Sequence, residues 1–202
     1  MFNFFISVSL KFFFVLTPFF ALSMFLSMTQ DYAEAQKRKL AIRVAAAATV
    51  ICLVLFFFGG VIFSIFGITL DAFRVGTGGL LFLSAVTLIR NTPVSAADSP
   101  DHDIAVVPLA MPIIVGPATV GTLLVLGAEI DGPGRKAAGA LALLVALAAL
   151  GTILRLAAAI ERVLGRRGLN ILSKITGLVL AALAAQMMLA GIAHFFGLAG
   201  AA

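Results

Sequence analysis

Six times along the chain, a block of about twenty residues runs almost without a charge. That is the length a helix needs to cross a hydrocarbon core of about 30 Å at 1.5 Å per residue. In lipid no water is at hand for backbone N–H and C=O groups, so each block must close its own hydrogen bonds as a helix. The blocks lie near 4–28, 41–66, 73–90, 105–127, 138–159 and 175–197. Charged or turn-forming connections separate them, and none is long enough to hold a soluble domain. Composition agrees, with 62% of the 202 residues hydrophobic and 11% charged, where an ordinary soluble domain is about a quarter charged. The expected fold is an all-α polytopic membrane protein, one transmembrane domain over 1–202.

The net charge of +5 does not call for nucleic acid, because basic residues in such a chain chiefly mark its cytoplasmic side. Lys37, Arg38, Lys39, Arg43, Arg90, Arg155, Arg162, Arg166, Arg167 and Lys174 fall on one side of the expected spans. Only Lys11, Arg74, Arg135 and Lys136 fall on the other. Both termini are therefore expected outside. The opening MFNFFISVSLK lacks the early basic residue of a signal peptide, and its apolar run to about Met28 is too long for a signal core. It is expected to be a retained helix. Cys52 lies inside an apolar run, where a lone thiol is a buried, inert residue and forms no disulfide framework.

Against this background the prolines stand out. Pro108, Pro112 and Pro117 share one apolar stretch, with Gly116 against the last. A proline inside a helix removes a hydrogen bond and clashes with the preceding turn, at about 3 kcal/mol or more. Such a break at membrane depth is tolerable only where protein or a wet cavity supplies partners. Pro18 stands similarly in the first span. Aligning Pro18 with Pro112 sets Ser23 opposite Pro117, and the openings of spans 3 and 6 pair Arg74 with Lys174. Three spans per half forces the second copy to be inverted. The expectation is two inverted three-helix repeats, 4–90 and 105–197, with broken helices in spans 1 and 4, a pattern that points to a secondary transporter with its site at the midplane.

The stretch Pro-Leu-Ala-Met-Pro-x-x-x-Gly-Pro-x-Thr, Pro108 to Thr119, resembles the signature of the MarC family of integral membrane proteins. Phe73-Arg74-Val75 with the following glycines, and Gly177 with Gln186 and Gly191, are similar too. The resemblance covers essentially the whole chain. It implies a multi-pass protein of the bacterial plasma (inner) membrane with periplasmic termini, and a carrier of small neutral amino acids. Two departures bear on the first half. Thr17-Pro18 stands where the family typically has Asn-Pro, and Ser23 where a second proline is often found.

The residues suggest how such a carrier would hold its cargo. Pro117 fits the first position of a half-helix, where its missing N–H costs nothing. The N–H groups of Ala118, Thr119 and Val120 would then face outward at the positive end of the helix dipole, a place that binds a carboxylate. Carbonyls released by Pro112 and Pro117 would accept an ammonium group, and Thr119 and Thr122 would add hydroxyls. A zwitterion suits this set. Thr17, Pro18 and Ser23 form the counterpart in span 1, where Pro18 would free the Phe14 carbonyl. Thr77, Thr176 and Gln186 are candidates to line the cavity. The same prolines also fit plain structural kinks, and Gln186 fits interhelical glue. Gly76, Gly78, Gly79, Gly177, Ala181 and Ala185 are expected to let helices approach closely. Arg74 and Lys174 are expected to snorkel to the interface.

Other functions find less support. An intramembrane enzyme would need paired carboxylates, a Ser–Lys or Ser–His arrangement, or a zinc motif at depth. None occurs, and neither a cofactor nor a metal is expected. Asp101-His102-Asp103 reads as a solvated loop run. A channel would favour a charged ring or a repeated filter, yet a channel or a non-transporting membrane protein stays the alternative to a carrier. Proton or sodium coupling and homo-oligomer formation are both compatible with the sequence.

Overall fold

The computed structural model describes residues 2–90, 114–130 and 132–197. Among these residues seven helices follow one another: α1 (Phe2–Val15), α2 (Pro18–Met28), α3 (Glu34–Phe66), α4 (Leu70–Arg90), α5 (Pro117–Glu129), α6 (Pro133–Arg155) and α7 (Ala157–Phe195). Among the described residues, five segments are long and apolar enough to cross a membrane, counting α1 and α2 together as Asn3–Met28. Pro117–Glu129 is a shorter apolar helix. The all-helical polytopic architecture expected from the apolar blocks is thus observed.

Local chemistry sets the boundaries. α3 starts where the Gln36 Oε1 accepts the Ala33 N–H at 2.9 Å, satisfying one orphan donor of the first turn. It ends at Gly67, whose φ of 62° lets the chain close the helix left-handed at no Cβ cost. The Ile68 N–H then returns to the Phe63 carbonyl at 3.3 Å. At 33 residues, α3 runs about 50 Å, so its Glu34–Arg43 turns reach beyond the hydrocarbon. α7 is interrupted at Gly165 (φ 63°, ψ 171°). Its first two turns, with Glu161 and Arg162, are set off from the apolar span that follows.

Burial is concentrated on the faces where helices meet. Phe12, Phe25, Phe56, Leu143, Leu147 and Leu150 are fully buried between α1, α2, α3 and α6, and Phe12 meets Phe56 edge to face at 5.9 Å. A second cluster of Val15, Leu81, Leu88, Ala118 and Leu180 links α1, α4, α5 and α7. Large side chains on the outer faces, such as Phe57, Phe58, Leu83 and Leu178, are exposed, as suits helices in lipid.

Lipid supplies no hydrophobic drive between helices, so small residues and close backbone approach hold them together. A Cβ at Gly78 would lie 3.0 Å from the Ala184 carbonyl oxygen, and one at Gly177 would lie 3.0 Å from that of Ala85. Those two expected packing glycines seal α4 against α7, with Ala181 partly buried beside Leu180 and Ala185 half-buried. Gly76 and Gly79 do otherwise. Among the described residues a Cβ at either would meet nothing within 4 Å, so they open a groove where a contact was expected. The tight α3–α5 contact uses glycines the sequence reading passed over: Gly59 rests on the Leu124 backbone and Gly127 on that of Phe56. Gly121 rests on Thr77.

Candidate functional site

The first span is two helices. A proline forbids the α conformation to the residue before it, and Pro18 at the first position of α2 forces Thr17 out of the helix. Thr17 takes φ 46°, ψ 55°, a left-handed conformation in which a β-branched residue is an outlier. The Thr17 N–H turns back to the Phe14 carbonyl at 3.0 Å. Phe14 is therefore not the free acceptor that the sequence suggested. Thr17 itself has no side-chain hydrogen bond among the described residues.

The second break is built alike. Pro117 opens α5 behind an extended Gly116 (φ −78°, ψ 175°), a backbone any residue can adopt. Gly116 is thus not demanded by its dihedrals. The first bond of α5 runs from the Val120 N–H to the Gly116 carbonyl at 2.9 Å, as that of α2 runs from Ala21 to Thr17 at 2.9 Å. The N–H groups of Ala118 and Thr119 precede that bond and point out of the helix start. Pro18 and Pro117, 99 residues apart, hold the same place at the head of a helix. In the same register Ser23 donates to the Phe19 carbonyl at 3.0 Å and Thr122 to the Ala118 carbonyl at 2.8 Å.

The two breaks touch. The Thr119 hydroxyl lies 3.3 Å from the Val15 carbonyl and 3.2 Å from that of Ile114, bridging the end of α1 to the start of α5 inside the protein. Around this junction lies a cavity of about 270 Å³. Thr17, Gly116, Pro117, Ala118 and Thr119 line it together with Phe20, Ser84, Thr87, Leu81, Leu88 and Leu180. Five candidate residues from both halves are thus gathered, and Pro18 is buried at the head of α2.

Others go elsewhere. Ser23 lines a cavity of about 190 Å³ with Ser27, Gln30 and Asn170, at the far end of α2. Thr122 and Gln186 line a third cavity of about 260 Å³, at the end of the bundle that holds Lys11 and His194. Thr77 is buried at the α4–α5 contact, beside an apolar groove of about 720 Å³ that Gly76 and Pro117 share. Thr176 is fully buried and donates to the Leu172 carbonyl at 2.9 Å, so it holds α7 together and lines none of these cavities. Pro112 lies outside the described residues, as does the Asp101–Asp103 run.

Sequence reasoning missed Ser84 and Thr87, which sit three apart on α4 and so share the face of Leu81 and Leu88. It also misread Arg74. This side chain does not snorkel; only 13% exposed, it pairs with Asp71 at 2.6 Å and with Glu129 at 2.7 Å, tying α4 to α5. Lys174 is exposed, as expected.

Comparison with known proteins adds kinship. A family model described as MarC family integral membrane protein matches residues 2–196. UPF0056 membrane protein MJ1677 of Methanocaldococcus jannaschii is 33% identical, over 94% of this chain and 96% of the relative. UPF0056 membrane protein YvbG of Bacillus subtilis is 31% identical, over 97% of each. UPF0056 membrane protein YhcE of Escherichia coli is 29% identical, over 96% of this chain and 93% of the relative. No solved structure matches.

Proposed function

The chain belongs to the MarC family of integral membrane proteins, and on that premise we propose that it is a secondary transporter of small neutral amino acids or similar small zwitterions. The substrate is held at the junction of the two broken helices, in the plasma membrane of a bacterium, with both chain termini outside. The observation that carries the reading is the Thr119 bridge to Val15 beside a cavity. It joins two proline-headed half-helices from opposite halves of the chain at one enclosed point.

The chemistry suits a dipolar ion. A substrate carboxylate sits at the starts of α5 and α2, each a site of positive potential contributing about 0.3–1 kcal/mol, and up to about 2 kcal/mol where partly buried. Thr17, Ser84 and Thr87 bring hydroxyls. Phe20, Leu81 and Leu180 leave room for a small apolar side chain and exclude water. Strained residues gather at working sites, and Thr17 is strained and unbonded on this wall.

Alternating access by two inverted halves, 4–90 and 105–197, is supported by the packing. Exchanging each span with the one three later turns the α3–α5 contact into α6–α2 and α4–α5 into α7–α2, and all four are observed. The α4–α7 seal maps onto itself, Gly78 on Ala184 becoming Gly177 on Ala85. A proton or sodium ion would drive the cycle.

The test is uptake and counterflow of labelled glycine, alanine and serine in proteoliposomes, with pH and sodium gradients varied separately. Flux of at least one, competed by alanine and not by its methyl ester, is expected. A protein that moves none of the three refutes the substrate, and one that treats alanine and its ester alike refutes the carboxylate site.

A further inference from the structure

The cavity of about 260 Å³ at the end of the bundle that holds His194 stands apart from the break cavity, yet both are walled by Val15 and Leu81. Its polar lining is unusual for a chain this apolar: Lys11, Arg74, Thr122, Glu129, Gln186 and His194. We propose that it is a second binding site for a zwitterionic ligand, a loading site in series with the break cavity and divided from it by the Val15–Leu81 wall.

Charge arithmetic carries the argument. Arg74 is held between Asp71 and Glu129, so those three groups sum to one negative charge. Lys11 restores neutrality from the α1 side, half-buried and with no ion-pair partner among the described residues. Counting His194 as neutral, the site is neutral overall but polarised, positive at α1 and negative at the α4–α5 junction. Arg74 Nε takes only Oε1 of Glu129, which leaves the second carboxylate oxygen open to an ammonium group. The Lys11 ammonium stands ready for a carboxylate. A net cation meets repulsion from Lys11, a net anion from Glu129, and a dipolar ion satisfies both. The Gln186 amide, exposed on this cavity wall, has no hydrogen-bond partner among the described residues and is open to one from water or ligand. The volume holds several waters, each about 30 Å³ in the liquid, or one small amino acid in their place.

This inference rests on the transport reading only for its choice of ligand class, and the experiment keeps the two apart. A cysteine is placed on the cavity wall as Ala190→Cys in a Cys52→Ala background, and its rate of modification by a small methanethiosulfonate is measured in detergent. L-alanine should slow modification severalfold, while alaninamide and propionate should not. Lys11→Met, which breaks no hydrogen bond or ion pair among the described residues, should abolish the protection; Glu129→Gln should do the same. Gly116→Val, placed in the break cavity, should leave it intact. Absence of protection by alanine, equal protection by the amide or propionate, or loss of protection in Gly116→Val overturns the proposal. Uptake of alanine without protection refutes this site and leaves the transport reading standing. Protection without uptake refutes transport and leaves the site.

Discussion

Thr17 offers the sharpest test of the link between sequence, strain and the broken helix. Its φ of 46° and ψ of 55° place Cβ against the following carbonyl oxygen, at about 1–2 kcal/mol for an ordinary L-residue. β-Branching makes the position a true outlier, whereas asparagine is several-fold enriched there. Pro18 disfavours the right-handed helical region for Thr17, and the Thr17 N–H bond to the Phe14 carbonyl at 3.0 Å goes with the left-handed turn. The Thr17 hydroxyl has no partner among the described residues, and replacing it sacrifices no bond within the fold.

Thr17→Asn should therefore stabilise the protein by about 1 kcal/mol, roughly half to all of the left-handed cost. Thr17→Gly relieves the same clash but returns about 0.5–1 kcal/mol through the freer unfolded chain; it should fall near the parent. Thr17→Val keeps the branch and should change little. Reversible unfolding in mixed micelles with rising dodecyl sulfate, followed by far-ultraviolet circular dichroism, measures all four proteins side by side. With one tyrosine and no tryptophan, helicity is a better signal than fluorescence. Should Thr17→Asn prove no more stable than Thr17→Val, the left-handed residue carries no strain and the account of the first break is wrong.

Further expectations follow from the same geometry. Gly116→Val, at a backbone any residue can adopt, should leave a folded, inserted protein that no longer transports, as read by size exclusion and counterflow. Thr119→Val removes a hydroxyl shared between two backbone carbonyls and should cost about 0.5–1.5 kcal/mol of stability in the same unfolding assay, besides weakening substrate. Gly127→Leu drives a side chain into the Phe56 backbone and should destabilise by about 1–3 kcal/mol or more, while Gly60→Leu, facing open space, should not. In right-side-out vesicles, cysteines at Lys37 and Arg166 should be shielded from an impermeant reagent and one at Gly132 labelled. The reverse pattern would overturn the orientation drawn from the charge count.

How much of this was legible beforehand depends on range. The spans could be read because apolar length is a local property, and both breaks because proline acts on its own turn. Pro117 at the head of α5 needed only the missing N–H. What sequence could not supply was which broken ends meet: Thr119 and Val15 are joined across 104 residues, a distance over which periodicity is silent. The same limit hid that Thr122 and Gln186 line a different cavity from Thr119. It also hid the Arg74–Glu129 pair, 55 residues apart, so that an arginine near a helix start looked free to reach the interface. The pairing of Pro18 with Pro112 was drawn from letters and spacing, and Pro112 lies outside the described residues. In the structure Pro18 and Pro117 share a role, each heading the second helix of a broken span.

Once that register of 99 residues is used, the two ends of the molecule differ in a particular way. Thr122, Val125, Leu126 and Glu129 at one cavity correspond to Ser23, Leu26, Ser27 and Gln30 at the other. Asp71, which pairs with Arg74, corresponds to Asn170, and Arg74 to Ser173, whose buried hydroxyl has no partner. At both places an acid in one half is its amide in the other. Amides keep the size and the hydrogen bonds of the acids but cannot form the ion pair. On the transport reading, the end closed by Arg74 is held by an ion pair that ties α4 to α5, whereas the ion pair at the opposite cavity, Glu161 with Arg166, lies within α7 and leaves Arg166 76% exposed. An ion pair only 13% and 32% exposed at its two partners is screened less than a surface pair. On the transport reading, closure at the Arg74 end is favoured by a shielded pair between two helices, and the two access states of such a carrier would be unequal in energy before any substrate or ion arrives.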